Sequence, residues 1–426
     1  MSGGKTFVGF GFGPIQSGLF LFEAYASGNF SRFVVAEVDK NLVASIRANS
    51  GRCGINVARH DGIDARQLEG IELYDPADPA DRQALLAAIA ESDELATALP
   101  AVRFYDAGGQ NSVASLLATG LSARTSPRPS VIYAAENHNH AAEILRADIL
   151  KHAAPSALEG VGILNTVIGK MSGVIAEPAL IERMGLAPLT PDLGRAVLVE
   201  QFNHILISRV PLPGFRRGIE VFVEKDDLLP FEEAKLYGHN AIHAMIAYLA
   251  DLRGLDTIAA AGGDQWIMEQ ARRAFIDESG GAMIRRHARL GDPLFTEAGY
   301  RNYAEDLLER MINPNLNDLV ERVGRDHARK LAYDDRLFGT MNLTLGQGIE
   351  PRRLALGAAA GVLSMIKRQG PGTRDRGPGT RDQGVGSRDA LRSILLNLWG
   401  NKTDSNRDRL IDLTWEAMQA LKQTSR

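Results

Sequence analysis

The sequence predicts an α/β chain in two parts: a doubly wound sheet domain over residues 1–200, then a mainly α-helical domain over residues 201–426. Three observations predict it. A buried apolar run, Lys5-Thr6-Phe7-Val8-Gly9-Phe10, enters a cluster of glycines and then a helical pattern. Apolar runs then alternate with Ala-rich helical segments to about residue 135, the pattern of a parallel sheet wound with helices. After about residue 200 the pattern changes to long helices. With 426 residues, 45% of them hydrophobic and 23% charged, the chain is long enough to bury two cores.

In order, the helical pattern of residues 14–26 follows the first strand, and a second strand is predicted over 32–38. Helices are predicted over 81–90 and 112–121, and another buried strand over 130–135. The second part reads as helices over 229–253, 264–278, 300–311 and 316–332. Three heptads then follow: Gly370-Pro371-Gly372-Thr373-Arg374-Asp375-Arg376, Gly377-Pro378-Gly379-Thr380-Arg381-Asp382-Gln383 and the looser Gly384-Val385-Gly386-Ser387-Arg388-Asp389-Ala390. They hold almost no side chain that packs, so residues 370–389 are expected to form a disordered insert.

Charge and cysteine usage exclude several classes. Lys+Arg 48 against Asp+Glu 52 gives a net charge of −4, which offers no basic field for nucleic acid or an anionic membrane. Cys53 is the single cysteine; an internal disulfide and a Cys-based zinc cluster are excluded, and no other metal-ligand spacing stands out. The N-terminus lacks a signal-peptide pattern, and the longest apolar stretch, residues 354–366, is too short for a bilayer. A cytoplasmic protein is expected.

Gly9, Gly11, Gly13 and Gly18 sit where the first strand meets the first helix, the place of a dinucleotide-binding turn. Small residues there let backbone approach a pyrophosphate, whose charge rests on the helix N-terminus. Gly11-Phe12-Gly13-Pro14-Ile15-Gln16 supplies the first two fingerprint glycines, with Gln16 in the third place. Glu37 ends the second strand, where a carboxylate accepts both ribose hydroxyls and repels a 2′-phosphate; the expected cofactor of a Rossmann-type domain so built is NAD rather than NADP. Asp39 is the rival for that role.

The densest chemistry lies in Glu232-Glu233-Ala234-Lys235-Leu236-Tyr237-Gly238-His239-Asn240-Ala241-Ile242-His243. On an α-helix Lys235, His243 and Asn240 fall at roughly 0°, 80° and 140°, so all three can face one cleft. Ile242, Met245, Ile246 and Leu249 would pack the neighbouring sector into a core.

Lys235, Asn240 and His243 reproduce the Lys-x4-Asn-x2-His signature of the polyol-specific long-chain dehydrogenase/reductase family, and Ala247-Tyr248-Leu249 is also similar to it. The run Asn313-Pro314-Asn315-Leu316-Asn317-Asp318-Leu319-Val320-Glu321-Arg322-Val323-Gly324-Arg325, with Arg329-Lys330-Leu331 and Asp335-Arg336-Leu337, resembles the sugar-phosphate branch. The resemblance runs from the first strand to about residue 350. Departures are Gln16 and the stretch Ile168-Gly169-Lys170-Met171, where the family has Val-Asp-Arg-Ile.

The resemblance implies metal-independent oxidation of a secondary alcohol, with Lys235 as the general base and, in reverse, the general acid. Its pKa must then fall from about 10.4 towards 7 or 8. Asn240, with Asn137 in the family-like Ala135-Glu136-Asn137, would stabilise the developing alkoxide, and His243 would orient the substrate. Glu136, Glu232 and Glu233 are unranked candidates for relaying the proton to solvent. In the wider family the positions matching Arg322 and Lys330 contact substrate. Arg325 and Arg329 would add a grip on a phosphate, all three arginines lying on one stripe if the segment stays helical through Gly324. The implied substrates are mannitol 1-phosphate and fructose 6-phosphate with NAD, and the implied state is a monomer. A free polyol or a hexuronate is the alternative, and a non-catalytic NAD-binding protein is a third reading.

Overall fold

A computed structural model describes residues 4–125, 128–202, 204–369, 385–400, 402 and 404–424. The chain divides into two compact units, Met1–Leu229 and Pro230–Arg426.

Among the described residues the first unit contains the strands β1 Lys5–Phe10, β2 Phe30–Ala36, β3 Cys53–Ala58, β4 Ile63–Leu68, β5 Ile71–Tyr74, β6 Glu94–Thr97, β7 Ser130–Ala134, β8 Val161–Val167, β9 Ser172–Ile175, β10 Ala196–Glu200, β11 Leu206–Ser208 and β12 Val223–Lys225. The main sheet runs β12-β11-β8-β7-β6-β1-β2-β5, and a four-stranded sheet runs β4-β3-β10-β9. From β5 to β8 every pairing in the main sheet is parallel. Such a sheet is covered on both faces, and its strands are apolar on both. Phe7, Val35 and Tyr133 accordingly enter one core, while Val8, Phe10, Val34 and Ile132 enter the other. Cys53 lies buried in the first of these, and burial pushes its thiol up to about 12. It is a packing residue.

Residues 201–229 belong to this unit, so the division falls at 229/230 rather than near 200. Their short strands are hard to read in sequence, but β11 pairs antiparallel with β8 and β12 pairs parallel with β11. The Gly218 and Ile219 N–H groups also donate to Glu94, which is buried at the start of β6.

The second unit is helical. Leu229–Ala234, Lys235–Asn240 and Ala241–Leu252 form one continuous rod whose middle turn is π-helical. Arg352–Gln369 packs along it, because Gly357 and Gly361 bring its backbone close to Met245 and Tyr248. A second interrupted rod joins Gln265–Arg273, the π-helical Ala274–Gly280 and Gly281–His287.

Two expectations need correction. The segment 316–332 is not one helix: Val320–Gly324 and His327–Lys330 are separate, and between them Asp326 takes φ 64. Asn and Asp tolerate that left-handed conformation better than other residues with a side chain. The expected insert lies mostly outside the described residues, but its last part is folded. Val385 is buried, and Ser387 accepts from the Ala390 N–H to cap the helix Arg388–Trp399. No helix among the described residues is long and apolar enough to cross a membrane.

Candidate active site

In the first unit the chain leaves β1 towards β2 and β5 and returns to β6, β7 and β8 on the other side. The carboxyl ends of β1 and β6 therefore form a topological switch point, the place where such sheets hold ligands. The glycine-rich turn lies there: Gly11 adopts φ 80, its N–H donates to the Ala36 carbonyl at 2.8 Å, and Ala98 N–H donates to Phe10. A side chain added at Gly13 would meet no atom within 4 Å. Gln16, the missing fingerprint glycine, is fully buried against Gly9, where a Cβ would lie 2.1 Å from its amide nitrogen. Glycine on the strand thus makes the room that glycine on the helix usually makes. Pro14 and Ile15 open the helix that follows, and its first full turn, Gln16–Leu21, is π-helical.

Glu37 lies immediately after β2. Its Oε2 accepts from Phe12 N–H at 2.7 Å and its Oε1 from Val38 and Asp39 N–H at 2.7 and 2.8 Å. The carboxylate is therefore locked against the glycine-rich turn, and three donors leave part of its acceptor capacity. Asp39 is committed elsewhere: it caps the helix Lys40–Ala48 through Asn41 and Leu42 N–H and pairs with Arg195 at 3.2 Å.

After β7, Asn137 is exposed in the bend, whereas Glu136 is buried. Glu136 accepts from Thr97 Oγ1 at 2.9 Å, Leu99 N–H at 2.8 Å and the Tyr105 hydroxyl. It organises the loop after β6, and burial pushes its carboxyl up from the ordinary value. In the departing stretch, Lys170 is buried and its charge opposes the upward push that burial gives the Glu23 carboxyl. The Met171 N–H donates to Glu200 at 2.5 Å.

In the second unit Lys235, Asn240 and His243 are all partly exposed on one rod, while Gly238 and His239 between them are buried. The π-helical turn explains this pattern. With i→i+5 bonding, the residue stacked over Lys235 is near Asn240; in an α-helix it would be His239. The two lie closer to one face than α-helical angles allow. Burial lowers Lys235 to about 8, the Arg336 cation pushes the same way and Glu232 opposes. Burial, with the cations around it, also drives His239 well below the usual imidazole range, so it stays neutral. Glu233 is occupied by Arg286, at 2.9 and 3.0 Å, and by His287 at 2.8 Å. Glu232 lies one turn before Lys235, and its charge opposes the lowering of the lysine.

Behind His243 stands a residue that sequence reasoning missed. Asp318 is buried, its Oδ2 is 3.0 Å from His243 Nε2, and its Oδ1 accepts from Arg322 at 2.6 and 3.1 Å. Burial pushes its carboxyl up, but His243 and Arg322 outweigh that and hold it below its ordinary value. The His243 Nε2 and Asp318 Oδ2 atoms are close but not aligned as a hydrogen bond, so the contact is electrostatic; it joins segments about 75 positions apart and leaves no local signal.

The predicted arginine stripe does not form. The break at Arg325 and Asp326 separates the residues, Arg329 pairs with Asp326 at 2.6 Å, and Arg325 is exposed. Lys330 is buried, with its amine on the Val323 carbonyl. Burial, Arg336 and Arg329 lower it to about 8.

Fold and motif together are those of the two-part Rossmann-type dehydrogenases. Residues 227–372 match the mannitol dehydrogenase C-terminal domain, and the curated relatives that the chain is similar to include mannitol-1-phosphate 5-dehydrogenases. It is 31% identical over 269 residues to the mannitol-1-phosphate 5-dehydrogenase of Shouchella clausii (strain KSM-K16), spanning 63% of this chain and 66% of that relative. It is 29% identical over 362 residues to the enzyme of the same name from Arthrobacter sp. (strain FB24), spanning 84% and 85%. Its fold is similar to that of Pseudomonas fluorescens mannitol 2-dehydrogenase, solved as a ternary complex with NAD and D-mannitol (TM-score 0.71, 17% identity, 99% of this chain and 93% of that one). It is likewise similar to a substrate-free D-sorbitol dehydrogenase (TM-score 0.74, 15% identity, 99% and 94%).

Proposed function

We propose that this chain is an NAD-dependent oxidoreductase that interconverts mannitol 1-phosphate and fructose 6-phosphate, with Lys235 as its acid/base and no metal in the chemistry. The observation that carries the reading is Lys235: a lysine lowered to about 8, in the same π-helical turn as Asn240 and about two turns before a histidine that stands beside Asp318. A base of that strength exchanges protons near neutral pH.

The first unit suits the cofactor. Gly11 at positive φ, the open space at Gly13 and a Glu37 carboxylate held against the same turn support the reading of this turn as the pyrophosphate and ribose site. When bound, NAD supplies the hydride acceptor. Lys235, as the neutral amine, takes the proton of the secondary hydroxyl as the C–H bond breaks, and a neighbouring carboxylate among Glu136, Glu232 and Glu233 relays that proton to solvent. Asn240 donates to the alkoxide oxygen, and His243 holds a neighbouring hydroxyl. Reduction reverses each transfer, with the Lys235 ammonium as the acid. The expected setting is a cytoplasmic monomer.

A free polyol is the second reading, and a specific observation favours it: Arg322 and Arg329 are already paired with Asp318 and Asp326, so neither stands ready for a phosphate dianion. NADH absorbance with fructose 6-phosphate, fructose and fructuronate in parallel separates the readings. Preference for fructose 6-phosphate supports the first, preference for fructose or fructuronate overturns it, and turnover of none of them overturns both.

A further inference from the structure

A backbone carbonyl displaced from helical register needs another donor, because buried backbone groups are almost always hydrogen-bonded. In the turn Lys235–Asn240 the Ala241 N–H donates to the Gly238 carbonyl, whereas in a regular α-helix it would reach Tyr237. The Tyr237 carbonyl is met from outside the rod. Ser279 Oγ donates to it at 2.8 Å, and Thr340 Oγ1, which also bonds the Arg336 carbonyl, lies 3.2 Å away. Both hydroxyls belong to fully buried residues. The Tyr300 hydroxyl is 3.2 Å from Ser279 Oγ; by donating to that oxygen it leaves the serine hydrogen for the carbonyl.

The contact is built for close approach. Ser279 lies in the other π-helical turn, Ala274–Gly280. The two turns meet because Gly238 has no side chain: a Cβ there would stand 2.8 Å from both the Phe275 ring and the Tyr300 hydroxyl. Two π-helical turns thus brace each other through a glycine and a serine, and π-helical turns concentrate at functional sites.

We propose that Ser279 and, secondarily, Thr340 are positioning residues that hold the turn in i→i+5 register and so keep Lys235 and Asn240 on one face. This rests on the reading of Lys235 as the acid/base. The two outside hydroxyls bond the Tyr237 carbonyl in the place it takes in the π-helical turn; without them that preference is lost, and a return to i→i+4 bonding would turn Asn240 away from Lys235 by about 100°, one residue of helix.

The test compares Ser279→Ala, Thr340→Val and their double variant with wild type and with Lys235→Ala, using NADH and the sugar that wild type reduces best. Thr340→Ser, which keeps the donor, is the conservative control. The double variant is expected to lose about tenfold or more in kcat, within the range that acid/base catalysis contributes, while KM changes less than about threefold. The pKa of its kcat profile should move away from about 8, and Thr340→Ser should match wild type. If the double variant does not fold, Ser279→Ala alone should show the same pattern in smaller measure. Wild-type kcat and pH profile in Ser279→Ala and the double variant, with Lys235→Ala inactive, would overturn the clamp and leave the base assignment standing. Turnover by Lys235→Ala would overturn both.

Discussion

Replacing Asp318 by Asn keeps its volume and removes the charge shared by His243 and Arg322. A hydrogen bond to a charged group contributes about 1.5–3 kcal/mol, and breaking a fully buried ion pair costs about 3–5 kcal/mol. The Arg322 side chain is 44% exposed, so water recovers much of its share and the lower range applies. At about 1.4 kcal/mol per factor of ten, kcat/KM should fall roughly 10- to 150-fold. The assay is NADH oxidation with the preferred sugar, run as a double-mutant cycle with His243→Asn. If Asp318 acts by orienting His243, the second substitution costs much less once the first is made, a coupling of at least about 1 kcal/mol. Additive losses, or an unchanged kcat/KM in Asp318→Asn, would refute the reasoning. The depressed carboxyl also has a sign: its stabilisation is present above the ordinary Asp pKa and is lost as pH falls through the lower folded value.

Three further outcomes follow. With Lys235 near 8, kcat for alcohol oxidation should rise with pH and level above about 8, while kcat for ketone reduction should level below about 8 and fall above it; profiles of the same direction would contradict the assignment. Glu37→Gln should narrow the preference for NAD over NADP, read from kcat/KM with each cofactor, and a wild-type preference for NADPH would refute the ribose role. Arg325→Ala, at an exposed position free of the Asp318 pair, should raise KM for fructose 6-phosphate about tenfold and leave fructose untouched if it grips phosphate; an equal effect on both would favour a free polyol.

The doubly wound sheet was legible because β1, β2 and β7 are apolar on both faces, a periodicity that survives without tertiary context. The helical rod carrying Lys235 was legible for the same reason. What escaped depends on long-range partners. β11 and β12 have three residues each, too few for a pattern, and exist because β8 offers an open edge. The helix over 316–332 looked continuous because its charges recur at helical spacing, but Asp326 takes a backbone conformation that residue type only permits. The Lys-x4-Asn-x2-His spacing was visible, while the π-helical turn that aligns it depends on Ser279 and Thr340, far along the chain. Glu136 stands beside Asn137 in the sequence, and only the fold reveals that Thr97, Leu99 and Tyr105 use its oxygens.

The most direct test of the account is single-turnover reduction of fructose 6-phosphate by Lys235→Ala, with NADH binding measured separately by fluorescence. The account predicts wild-type NADH affinity and a hydride-transfer rate lower by about a hundredfold or more, the usual contribution of a general acid. A near wild-type rate in that variant would contradict it.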